Sequence, residues 1–189
     1  MQPTAVPGVA DDAAARLAAL RGETDAAAAL ALFDALPAVR LDEMLGAWRG
    51  EGLPSGHPLD GVLENLGWHG KRFDAIDAAH PLIFAARAGT RYAVDPARLP
   101  VGFALRHARW LRTRAAARLF AAAGRALRTR RPAARLRMTE FRGVVTATMI
   151  YDAKPIADAF RRIDADTRLG VMDLRGAAPY LFVLRRESS

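Results

Sequence analysis

The chain has 189 residues, 51% of them hydrophobic and 25% charged, and no cysteine. This is about one domain of ordinary globular composition, and it excludes thiol nucleophiles, zinc ribbons, iron–sulfur ligation and disulfide scaffolds. The net charge of +8 is concentrated: 104–137 holds eleven arginines and no acid, so a mildly acidic body carries one intensely basic segment.

Residues 1–40 read as a tail and helices. Pro3 and Pro7 lie in a loose stretch over 1–9. ADDAAARLAALR (10–21) is an Ala-rich helix with acids at its front, and Thr24-Asp25 opens a second helix that stops before Pro37. The opening residues have no positive n-region, and no run of about 18 uncharged apolar residues occurs, so a cytoplasmic protein without a membrane span is expected.

Residues 41–100 change to strand-like segments punctuated by glycine. In MLGAWRGEGL (44–53), Gly46, Trp48, Gly50 and Gly52 share one face, which allows a sharp bend or the close approach of another backbone. Turn-rich PSGHPLDG (54–61) and VLENLGWHGKRF (62–73) follow. HPLIFAAR (80–87), a turn at Ala88-Gly89 and TRYAV (90–94) read as a hairpin.

Residues 101–133 form a basic helical insertion. From 102 to 131 there is no period-2 alternation. Arg114, Arg118, Arg125 and Arg128 share one side of a helix, and Ala116, Leu119, Phe120, Ala123 and Leu127 share the other. The arginines of 105–112 fall elsewhere, so a break is expected near 112–114, and Pro132 ends the segment.

Residues 134–189 return to strands at 135–141, 144–151, 167–174 and 180–186. PIADAFRRID (155–164) reads as a helical turn or two after Pro155. Short alternating strands with one helical insertion predict a closed antiparallel β-barrel of about eight to ten strands, mainly β with helical additions, in one structural domain. A barrel of that size is filled by its own side chains or holds one small ligand.

Gly46-Ala47-Trp48-Arg49-Gly50 matches the motif for which the GXWXG family is named. Segments 55–73, 80–84 and 94–100 resemble that family too, and 135–156 and 166–186 resemble the domain of unknown function that usually follows it. The opening is also similar to calycin barrels of the nitrobindin and lipocalin kind. That resemblance implies barrel closure by Gly46, Trp48 and Gly50, with Arg185 or Arg186 packed across the Trp48 ring. Haem, as in nitrobindin, would have to use His57, His69 or His80, because no histidine follows His107.

Each candidate site residue admits a functional and a structural role. His57, near Asp60, is a base or ligand anchor, or else a turn residue bonded to the loop backbone; Ser55 beside it makes no catalytic pair by spacing alone. His69 and Lys71 follow Trp68, where they touch a ligand or lie half-exposed on a strand. His80 lines a cavity or anchors a strand start. Asp152 and Asp173 are acid/base groups or the partners of Arg142 and Arg175.

No GxGxxG, GxxxxGK[ST] or HExxH pattern occurs. The expected function is binding of a hydrophobic or amphipathic small molecule, lipids included, by Trp48, His57, Trp68, His80, Met149 and Tyr151. The basic insertion then serves as a lid or as a contact to an anionic surface. Two alternatives stand beside it: an enzyme using His57 or His80 with Asp152 or Asp173, and an interaction module whose arginines bind nucleic acid or an acidic partner. No catalytic residue or metal site is assigned.

Overall fold

In a computed structural model, residues 7–20, 25–86 and 89–188 are described; the side chains of 7–11 and of Arg125 lie outside that description, as does the expected turn residue Ala88. Ten strands form one sheet: β1 (Gly46–Gly52), β2 (Trp68–Ala75), β3 (Ala78–Ala85), β4 (Arg91–Val94), β5 (Arg128–Thr129), β6 (Ala134–Phe141), β7 (Val144–Tyr151), β8 (Ile156–Arg162), β9 (Thr167–Leu174) and β10 (Tyr180–Arg186). Eight of them close into an antiparallel barrel in the order β2-β1-β10-β9-β8-β7-β6-β3, and β3 returns to β2.

The seam between β3 and β6 is narrow. It holds the pair Ala79↔Ala134, supported by Ala133 N–H to Ala79 O at 3.0 Å. Beyond it β3 leaves β6 and pairs with β4 through Ile83↔Ala93, Phe84↔Tyr92 and Ala85↔Arg91, and β4 pairs with β5. A short helix α3 (Val62–Asn65) precedes β2, and the insertion fills the chain between β4 and β5 with three more α-helices: α4 (Val101–Arg106), α5 (Ala108–Leu111) and α6 (Arg114–Leu127). The expected break falls at Arg112-Thr113, where Thr113 Oγ1 caps α6 by accepting from Ala116 N–H at 3.3 Å. Helix stops at Leu127 rather than at 131, because Arg128-Thr129 is drawn into the sheet beside β4.

Helices α1 (Pro7–Leu20) and α2 (Ala26–Ala35) lie on the outside of the barrel. Asp25 starts α2 by accepting from Ala27 N–H at 2.8 Å and Ala28 N–H at 3.1 Å. Leu17, Leu32 and Phe33 bury the outer faces of β8 to β10 at Ala159, Val171, Leu181 and Val183. A separate core inside the barrel joins Trp48, Phe73, Leu136, Met149, Phe160 and Leu184. The segment expected as a helical turn at 155–164 is instead strand β8. Its inner residues meet the barrel core, and its outer residues Ala159 and Arg161 lie under α2, with the Arg161 guanidinium 5.0 Å from the Phe33 ring. Cover on both faces hides the alternation that marks the other strands.

Trp48 is fully buried on β1. The Arg186 guanidinium lies 4.3 Å from its ring centre and donates to Leu45 O and Glu43 O, both at 2.7 Å; Arg168 lies 5.1 Å from the same ring. Of the two arginines expected at this position, Arg185 points outward to Glu51 at 3.3 Å. Arg186→Ala is therefore expected to cost about 1–3 kcal/mol in a urea titration, because two part-buried carbonyls lose charge-assisted donors and the Trp48 ring loses its cation. Arg185→Ala is expected to stay within about 1 kcal/mol of the parent. Equal costs for the two would remove Arg186 from the closure.

Candidate functional site

A cavity of about 510 Å³ lies between the barrel interior and the helical insertion. Barrel residues Trp68, Phe84, Tyr151, Met172 and Phe182 form its floor and walls, and Leu66, Val101, Leu111, Phe120 and Leu127 close it from above. The insertion is anchored in place. Arg112 donates to Pro58 O and Asp60 O at 2.8 Å each, and the Asn65 side-chain amide donates to Leu111 O at 2.7 Å and Thr113 O at 3.0 Å. The Phe84 and Phe120 rings meet at 4.9 Å across the join. The apolar side of α6 faces the cavity while Arg114, Arg118 and Arg128 are exposed, Arg128 stacking 4.5 Å from the Tyr92 ring. The Arg125 side chain lies outside the described residues.

One polar cluster interrupts the apolar wall. Lys71 Nζ donates to Asp158 Oδ2 at 2.7 Å and to Pro81 O at 3.3 Å, and Tyr151 OH reaches the same carboxylate oxygen at 3.4 Å. Lys71 is 4% exposed and Asp158 1%. The ammonium also sits 4.8 Å from the Phe182 ring, 5.6 Å from Trp68 and 5.9 Å from Tyr151. Asp158 Oδ1 and Trp68 Nε1 are buried and take no hydrogen bond from or to the protein. Burial pushes the Asp158 carboxyl above its usual value against the opposing pull of Lys71, and burial beside Asp158 pushes the Tyr151 phenol well up.

Local backbone geometry explains how Lys71 comes to face inward. Trp68 and Lys71 are three residues apart, which strict alternation would send to opposite faces. The pairing of β2 with β3 slips on either side of Gly70, so that Trp68, Lys71 and Phe73 are all buried. At Gly70 (φ +154°) a Cβ would lie 1.9 Å from Trp48 O, so no other residue fits there. Gly50 matters in a similar way: the Trp68 ring packs onto its bare Cα, where a Cβ would stand 2.2 Å from Trp68 Cη2.

The cavity takes up only part of the expected residue set. Trp68 and Tyr151 line it. Trp48 packs beneath Arg186 and Arg168, and Met149 is buried in the inner core; both lie outside the cavity lining. His57 lies in its loop, accepting from Leu59 N–H at 3.1 Å with its ring 5.3 Å from Tyr180, and burial lowers its pKa. Ser55 N–H donates to Asp60 Oδ2 at 2.9 Å in the same loop. His80 faces Asp74 at 3.2 Å, and burial followed by the nearby Arg72 lowers its pKa. His69 bonds Glu187 at 2.8 Å. None of these histidines lines the cavity, so the residues present do not fit a haem there.

The four residues of the enzyme reading do not converge. Asp152 is exposed and pairs with Arg135 at 2.6 Å, not with Arg142, which grips Asp34 instead. Asp173 is exposed on the outside of β9. The acidic group that does face the cavity, Asp158, sat in the segment expected to be helical. Its partner Lys71 is read from the sequence only alongside His69, as a ligand contact or a half-exposed strand residue. The glycine of Trp68-His69-Gly70-Lys71 is the one signal that marks the irregularity.

Two family matches cover the barrel in order. Residues 31–89 match the family described as GXWXG protein, and residues 132–186 match the domain of unknown function DUF4334. A crystal structure of a protein from Thermomonospora curvata is similar to this chain at 34% identity and a TM-score of 0.69, over 94% of this chain and 99% of that one. No curated protein matches. Among the described residues, no helix is long and apolar enough to cross a membrane.

Proposed function

The chain belongs to the GXWXG family, with DUF4334 as its second half, and we propose that it binds a hydrophobic or amphipathic small molecule in the barrel, with the helical insertion as lid. The observation that carries this reading is the 510 Å³ cavity, whose walls are apolar side chains drawn from both the strands and the insertion. Cavities of this size and character are typical small-molecule sites. The expected result is saturable, one-to-one binding of the neutral fluorescent probe N-phenyl-1-naphthylamine, with quenching of Trp68 in the cavity wall. Phe120→Glu, which places a charge in that wall, is expected to weaken the probe by at least about tenfold. Non-saturable binding, or binding indifferent to Phe120→Glu, sinks the reading.

Phe103, Trp110 and Leu119 are 40%, 44% and 60% exposed on the lid, alongside the exposed Arg114 and Arg118. This combination favours loading of the ligand at an anionic membrane surface. Co-sedimentation with phosphatidylglycerol vesicles but not with phosphatidylcholine vesicles is the expected outcome, and Arg114→Ala/Arg118→Ala is expected to abolish it. Equal sedimentation with both vesicle types counts against such loading.

A further inference from the structure

We propose that the cavity selects neutral apolar alcohols: a small hydrocarbon body whose hydroxyl donates to Asp158 Oδ1 and accepts from Trp68 Nε1–H. The inference rests on the binding reading above and names its ligand class. Two orphaned polar atoms carry it. Asp158 is 1% exposed and Trp68 7%; both line the cavity, and neither Asp158 Oδ1 nor Trp68 Nε1 has a protein partner. An unpaired buried acceptor and an unpaired buried donor are each costly, and native interiors rarely hold one without a reason.

Their chemistry specifies the missing group. The side chains that carry them meet one ammonium: Lys71 Nζ is 2.7 Å from Asp158 Oδ2 and 5.6 Å from the Trp68 ring centre. A hydroxyl both donates and accepts, so it satisfies the two atoms together. A ketone accepts only and leaves Asp158 Oδ1 unpaired. A carboxylate brings a second negative charge beside Asp158, while the Lys71 ammonium is already committed to Asp158, Pro81 O and the Phe182, Trp68 and Tyr151 rings. A primary ammonium would bring a second positive charge beside Lys71. Apart from Arg98 and Tyr180, whose hydroxyl is likewise buried without a partner, the remaining lining residues offer apolar contact, so affinity comes mainly from the hydrocarbon and selectivity from the polar atoms.

The test is displacement of bound N-phenyl-1-naphthylamine at neutral pH by three ligands of one chain length: nonanol, the corresponding methyl ketone and nonanoate. Nonanol is expected to displace the probe at a concentration roughly tenfold or more below either of the others, as one hydrogen bond to a charged acceptor implies. In Asp158→Asn, whose side-chain amide donates to a ketone, the alcohol–ketone ratio is expected to fall to within about twofold. Trp68→Phe removes the indole donor, together with the distal ring atoms packed on Gly50, and does not touch the Lys71–Asp158 contact; with nonanoate as the control for lost packing, it tests the same point should Asp158→Asn fail to fold. It is expected to weaken nonanol about three- to tenfold and to leave nonanoate unchanged. Equal displacement by alcohol and ketone overturns the selectivity while leaving the binding reading standing. Failure of the probe itself to bind overturns both.

Discussion

Lys71→Met is expected to remove about 3–5 kcal/mol of stability in urea unfolding, a large fraction of the roughly 5–15 kcal/mol that a domain holds. Asp158 is 1% exposed, and Lys71 is its strongest partner at 2.7 Å. Without the ammonium, the carboxylate is left in an apolar cavity with only the 3.4 Å contact to Tyr151. The double variant Lys71→Met/Asp158→Leu is expected to recover most of the loss, because it removes both charges and keeps the volume. The single variant also carries a pH signature. Burial already holds the folded Asp158 carboxyl above the usual carboxylate range, and Lys71 is the chief group pulling it down. Losing Lys71 raises the folded value further. A group raised on folding contributes fully below its unfolded pKa and loses that contribution as pH rises through the folded value. The deficit of Lys71→Met relative to the parent, compared at equal pH, should therefore be largest at neutral pH and shrink toward acid. A single-variant loss below about 1 kcal/mol, or a deficit that grows toward acid, would mean that the pair is not held as a buried ion pair.

If the double variant is as stable as the parent, the pair is not there to hold the barrel together. Retaining two buried charges and a lone carboxylate oxygen in a cavity that hydrocarbon side chains would fill then points to recognition. The apparent polar liability at the floor and the apolar generosity of the walls become parts of one binding design.

How much of this was legible follows from which faces the fold covers. Strands with one covered face alternate visibly, as in Ala134–Phe141, where Leu136 is buried while Arg135 is exposed. Strand β8 escaped because α2 covers its outer side: Ala159 and Arg161 are buried as deeply as Phe160, and a local Ala-rich run after Pro155 reads as helix until tertiary packing overrides it. The same error hid Asp158. Trp68 and Tyr151 were identifiable because large aromatics on barrel strands face inward by default. The apolar face of α6 was identifiable because the helix keeps its phase from Arg114 onward. His57 stands out in the sequence by its type and the nearby Asp60, and His80 by its place at a strand start, but their loop and strand-end partners, Leu59 and Asp74, use them structurally. Lys71 was hidden by a parity change that composition does not encode.

That parity change is testable at a single atom. Gly70→Ala is expected to cost about 3 kcal/mol or more and to lower the melting temperature by about 6–12 °C. The added Cβ would stand 1.9 Å from Trp48 O and 2.7 Å from Gly50 N, both backbone atoms of the neighbouring strand β1, which no side-chain rotation can move aside. Gly61 is the control: its φ of +73° is left-handed, but nothing lies within 4 Å of its Cβ position. Gly61→Ala is expected to show the conformational cost alone, about 1–2 kcal/mol. The difference between the two variants then measures the close approach of β2 to β1 and not a general dislike of alanine at glycine positions. The strand has one way to relieve the clash, which is to give up the irregularity and resume strict alternation. Trp68 and Lys71 would then point to opposite faces. Where Gly70→Ala still yields a folded barrel, it is expected to lose the preference for nonanol over the ketone, because Lys71 no longer fixes Asp158 beside Trp68. A folded Gly70→Ala protein with full stability and an intact alcohol preference would show that the slip at Gly70 does not place the polar floor of the cavity.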